Sequence, residues 1–142
     1  MCCGSVLAGN RIGGVGADDP SVHLDLDPTP AAARQARGFF AENVADLDAE
    51  TAQTAALCVS ELVTNGVLHA RTPLVFGVTL GDDHVLVTVA DRAPGDPESP
   101  PPDDSRPSGR GLVLVNALVD QWGVHHGEDG KTVWFTVPRR RA

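Results

Sequence analysis

Two hydrophobic periods alternate along the chain. From Ser21 to Asp27, Val22, Leu24 and Leu26 alternate with polar neighbours, the period-two pattern of a half-buried strand. Pro28-Thr29-Pro30 interrupts it, with Thr29 expected as a helix N-cap and Pro30 at the first helical position. A first helix is predicted from about Pro30 to Val44, since Ala33, Ala36, Phe40 and Val44 fall on one face. Asp48 is the expected N-cap of a second helix that runs to about Ala70. Its apolar face is Ala55, Val59, Leu62, Val63, Gly66, Val67 and Ala70, at spacings of three and four. The strand period returns over Leu74–Leu80 and His84–Ala90, joined by the turn-forming triplet Gly81-Asp82-Asp83.

The segment from Arg92 to Ser108 holds six of the chain's 11 prolines, which excludes helix and central strand. A long loop inside a compact domain is usually functional or disordered. A third helix is predicted from about Gly109 to Asp120, with Leu112, Val115, Leu118 and Val119 apolar and Leu114 flanking them. Two final strands, Gln121–His126 and Lys131–Val137, meet at Gly127-Glu128-Asp129-Gly130, where Asp-Gly is a hairpin signal. The order β-α-α-β-β-α-β-β predicts an α+β fold, a two-layer sandwich of a mostly antiparallel sheet with helices on one face. One domain is expected over residues 20–142, behind a flexible Gly- and Ala-rich leader at 1–19.

Composition narrows this picture. With 142 residues and 42% hydrophobic content the chain can bury one core, built on Val, Leu and Ala because aromatics are only 4%. A formal charge of −8 argues against a direct nucleic-acid partner, which needs a basic face. It leaves a nucleotide ligand open, because a local cluster of cations and a metal ion can offset the bulk charge. Cys2, Cys3 and Cys58 lack metal-ligand spacing, and no apolar run is long enough to span a membrane, so a reduced, cytoplasmic protein is expected.

Four stretches carry candidate chemistry. In S-E-L-V-T-N-G-V-L-H-A (60–70), Glu61 and Asn65 are one helical turn apart, on a line beside the apolar face rather than opposite it. A carboxylate and an amide oxygen at a core edge can hold Mg²⁺ and its waters, and the carboxylate can take a proton from a hydroxyl. In V-T-V-A-D-R-A-P-G (87–95), Asp91 ends a buried strand and can accept a hydrogen bond from an exocyclic amine; a simple turn-initiating Asp would look the same. In S-G-R-G-L-V-L-V (108–115), Gly109 and Gly111 open a helix whose N-terminus favours anions, and Arg110 adds charge. In G-K-T-V-W-F (130–135), Lys131 is the chain's only lysine and Thr132 starts a strand. Taken singly, each stretch has an ordinary structural explanation.

Taken together, in this order and on these elements, the motifs E-L-V-T-N-G-V-L-H-A, D-R-A-P-G, G-R-G-L-V-L-V-N-A-L-V-D-Q-W-G-V and G-K-T-V-W resemble the GHKL ATPases, the gyrase, histidine-kinase and MutL relatives that share the Bergerat ATP-binding fold. The resemblance covers about residues 21–138 and is closer to the small stand-alone branch of RsbW-like anti-sigma factors and serine-protein kinases. It implies that Asn65 coordinates the Mg²⁺ bridging the ATP phosphates and that Glu61 is the general base. It places Asp91 on the adenine amine with Thr132 nearby through water. Gly109, Arg110 and Gly111 would cradle phosphate, with Gly95 and Leu112 also in the nucleotide-binding set and 92–108 as the ATP lid. His69 is given no role. The adenine loop departs from the family's D-x-G-x-G: Ala93 stands at the first glycine and Pro94 stiffens the turn, which points to modest nucleotide affinity.

The function so implied is an ATP-binding regulator, an anti-sigma factor and serine/threonine-protein kinase that phosphorylates a STAS-type anti-sigma factor antagonist. The alternative is a non-catalytic, ATP-dependent module that sequesters a sigma factor or another regulator. Partners implied are a sigma factor and such an antagonist, with no membrane. A homodimer is compatible with the resemblance. A histidine-kinase core is not expected, for want of a dimerisation and phospho-acceptor domain.

Overall fold

A computed structural model describes residues 15–16, 19–70, 72–92, 119, 121–127 and 130–139. Strand β1 spans Ser21–Leu26, helix α1 Ala32–Asn43 and helix α2 Ala49–Ala70. Strands β2 (Leu74–Leu80), β3 (His84–Ala90), β4 (Gln121–Gly127) and β5 (Gly130–Pro138) complete the described elements. The predicted lid, the predicted helix at 109–120 and most of the leader lie outside the described residues.

The two helices start differently. The Thr51 N–H donates to the Asp48 carboxylate at 2.7 Å, so Asp48 caps α2 as its sequence position predicts. Helix α1 begins two residues later than expected. Ala31 stands at its N-cap without a side-chain hydrogen bond, and the Ala32 N–H donates to the Thr29 carbonyl at 3.1 Å. Thr29 thus closes a turn through its backbone and does not cap the helix.

All strand pairings are antiparallel and the sheet order is β1-β2-β3-β5-β4. The α+β sandwich is as expected, with α1 and α2 packed on the sheet. Ala36 and Phe40 of α1 and Val59, Leu62 and Val63 of α2 close over Phe76, Val78, Val85, Val87, Phe135 and Val137. Phe39 meets Phe76 edge to face, with ring centroids 6.0 Å apart and planes at 77°. Alternation sends the intervening residues to the other face, where Leu86 is buried against Val15 and half-buried Trp134 packs beside them. Arg139 fastens the end of β5: its guanidinium contacts Asp46 between the helices at 3.1 Å and donates to the Gly81 carbonyl at 2.8 Å.

Candidate functional site

The site is built where α2 crosses the end of β3. Helix α2 has Ala-rich turns, an acidic residue in its first turn and a histidine in its last, all of which suit a long helix. Gly66 lets it approach the sheet: a Cβ there would meet Leu74 at 3.0 Å and Val89 at 3.6 Å. Asn65 neighbours Gly66 on that turn, and Val89, which the turn meets, stands two residues before Asp91. Asn65 and Glu61 are both half-buried, which fits groups at a core edge.

One turn inside Glu61 lies Cys58, fully buried. Burial, and secondarily the Glu61 charge, push its thiol from 9.0 up to about 11. Cys58 therefore stays a neutral, apolar-like side chain on the core face of the middle of α2 rather than a reactive thiolate.

Asp91 is 4% exposed and follows β3 directly. Its N–H donates to the Lys131 carbonyl at 2.9 Å, and its carboxylate Oδ1 accepts the Lys131 N–H at 3.2 Å. The side chain thus takes the acceptor position that the backbone carbonyl would hold in a regular ladder, and its direction is fixed by β5. Gly130 makes this possible. Its φ is +148°, and a Cβ there would collide with the Asp91 carbonyl oxygen and lie 2.9 Å from its carbon. The next residue is held as well, since the Arg92 N–H donates to the Thr72 hydroxyl at 3.1 Å.

The sheet register separates Thr132 from Asp91. Ala90 pairs with Thr132 and Val89 with Val133. Val133 packs against the helix-side core, so Thr132 faces the opposite side of the sheet, where it is buried. On the helix side, in phase with Val133, Phe135 and Val137, stands Lys131, half-buried. The resemblance implies Thr132 near Asp91 through water; strand phase puts Thr132 on the face opposite Val133 and Lys131 on the same face as Val133. The signal was present in the alternation of Val133, Phe135 and Val137, which Lys131 continues and Thr132 does not.

Gly95, Gly109, Arg110, Gly111 and Leu112 fall outside the described residues. Among the described residues, no group of three or more His, Cys, Asp or Glu is placed to hold a metal ion, and no helix is long and apolar enough to cross a membrane.

Comparison with known proteins gives a consistent picture. A family model described as a histidine kinase-like ATPase domain matches residues 26–137. Among solved structures, the RsbU and RsbW domains of Rv1364c from Mycobacterium tuberculosis align with 28% identity and a TM-score of 0.64. They cover 87% of this chain and 34% of that one, so this chain spans about a third of that protein's length. The histidine kinase domain of a blue-light activated histidine kinase from Erythrobacter litoralis aligns with 24% identity and a TM-score of 0.53. It covers 77% of this chain and 60% of that chain, and shares the fold.

Proposed function

Because the chain belongs to the histidine kinase-like ATPase domain family, we propose that it binds ATP with Mg²⁺ at the junction of α2 and the β3 end and transfers the γ-phosphoryl group to a serine or threonine of a regulatory protein partner. What supports this reading is the packing around β3 at two points far apart in sequence. Gly66 brings the Asn65 turn down onto Val89, and β5 fixes the Asp91 carboxylate at the end of the same strand. A buried acceptor beside a polar helix edge suits an adenine amine on one side and a charged phosphate chain on the other.

The residues fit a Mg²⁺ that arrives with its nucleotide. Mg²⁺ in nucleotide sites is held mainly by phosphate oxygens and water with one or two protein oxygens. The Asn65 amide oxygen would supply such a ligand. Bound there, the ion supplies charge neutralisation along the phosphates. Glu61, one turn from Asn65, accepts the proton of the attacking hydroxyl, whose oxygen bonds to phosphorus as the bond to ADP breaks. Gly109, Arg110, Gly111 and Leu112 would meet the phosphates, Gly95 the base loop, and 92–108 would close over them.

The similarity to a structure containing RsbU and RsbW domains supports partners of that regulatory type. We assign an anti-sigma role on this basis, with a STAS-type antagonist as phosphate acceptor and a sigma factor as the alternative occupant. The Ala93-Pro94 departure in the base loop favours a second reading, a module in which ATP shapes a binding surface without turnover.

Titration calorimetry with Mg-ATP tests the binding site: Asn65→Ala and Asp91→Ala should each weaken affinity at least about ten-fold, as expected for loss of a charge-assisted contact. Unchanged affinity would remove these residues from the site. ATP labelled at the γ-phosphate, with candidate antagonists, tests the chemistry. Label transfer by the wild type and none by Glu61→Ala is expected; an ATP-binding wild type that labels no antagonist establishes the second reading.

A further inference from the structure

The register of β5 puts a cation where the motif reading places a hydroxyl. Lys131 continues the helix-side phase of Val133, Phe135 and Val137; its carbonyl accepts the Asp91 N–H and its own N–H donates to the Asp91 carboxylate. Lys131 is the chain's only lysine. On the other side its register partner is His126 of the edge strand β4, which is exposed. Both described bonds of Lys131 to Asp91 use its backbone.

We infer that Lys131 is a base-reading residue of the nucleotide site, its ammonium donating a hydrogen bond to the ring nitrogen that flanks the amine accepted by Asp91. The inference rests on the ATP site proposed above. A hydroxyl can both donate and accept, whereas an ammonium only donates. Paired with the Asp91 acceptor, it makes a wall with one acceptor and one donor side by side. That wall matches an edge on which an amine stands next to an unprotonated ring nitrogen, which adenine has on both sides of its amine. It would also offset the modest nucleotide affinity that Ala93 and Pro94 point to, because a charge-assisted hydrogen bond is stronger than a neutral one.

The test is a chemical double-mutant cycle in the full chain. Affinities of ATP, 1-deaza-ATP, 7-deaza-ATP and ADP are measured for the wild type, Lys131→Met and Lys131→Thr, with melting temperatures recorded for each protein. Lys131→Met keeps length and removes charge; Lys131→Thr suits a strand and covers the case in which Met misfolds. ATP and ADP should weaken equally, by about ten-fold. For the deaza analogue that lacks the contacted nitrogen, wild type and variants should bind alike. Three results would overturn the inference: equal losses on all analogues, a loss that grows from ADP to ATP and so reports phosphate contact, or no loss at all. A wild type that binds no nucleotide refutes the ATP site itself, a separate failure.

Discussion

Single residues carry two of the sharpest consequences. Cys58 holds its proton more tightly folded than unfolded, with the thiol raised from 9.0 to about 11. Between these values the native state binds the extra proton, so stability is complete below pH 9 and falls as pH rises towards 11. The loss should reach on the order of 3 kcal/mol. The chain contains no tyrosine and one lysine, so few other groups titrate there. Urea midpoints measured across that range should fall for the wild type and stay nearly flat for Cys58→Ala. Gly130 makes the second case. Gly130→Ala forces a side chain onto a φ of +148° and into the Asp91 backbone, and should lower stability by about 2 kcal/mol. Nucleotide affinity should fall further than in an equally destabilised variant elsewhere, which calorimetry on both proteins reads directly. At this scale the sequence was informative where helical spacing alone sets neighbours, as for Glu61 and Asn65. At Thr132 a motif names a residue type while the pleat decides its face, and Thr132 falls on the face opposite Val133.

Elements were legible for the same reason that they are stable locally. The Asp48 cap and the apolar face of α2 are repeated signals over many residues, and β2 and β3 lie where period two placed them. The start of α1 was misjudged because Thr29 and Pro30 satisfy the cap rule by type, while the chain spends them on a turn. Sheet order was not legible at all: period two marks a strand but says nothing about which strand lies beside it. What joins the elements is carried by a few side chains, and Arg139 is the clearest. It reaches the α1–α2 connection through Asp46 and the β2–β3 turn through Gly81. Arg139→Ala should lower stability by about 1–2 kcal/mol, and Arg139→Lys should recover little of it, since one ammonium cannot reproduce the fork. Thermal melts of the three proteins provide the comparison.

At the scale of the whole molecule, the sheet order places the C-terminal strand in the interior, between β3 and β4. A chain stopped after Gly127 would lose β5, hence Phe135 and Val137 from the core and the partner of Asp91. It should show no cooperative melt and no ATP binding, testable by circular dichroism and calorimetry on the shortened chain.

This arrangement also orders events in time. The Asp91 carboxylate is held by a strand that begins 39 residues further on, and its bond to Lys131 spans 40 positions. During synthesis, α1 and α2 leave the ribosome and can pair early, but the Asp91 end of β3 lacks its partner until β5 has emerged and inserted between its neighbours. If Asp91 holds the base as proposed, a chain that ends before Lys131 should not bind nucleotide. On that proposal, ligand should stabilise the protein only once β5 stands between β3 and β4.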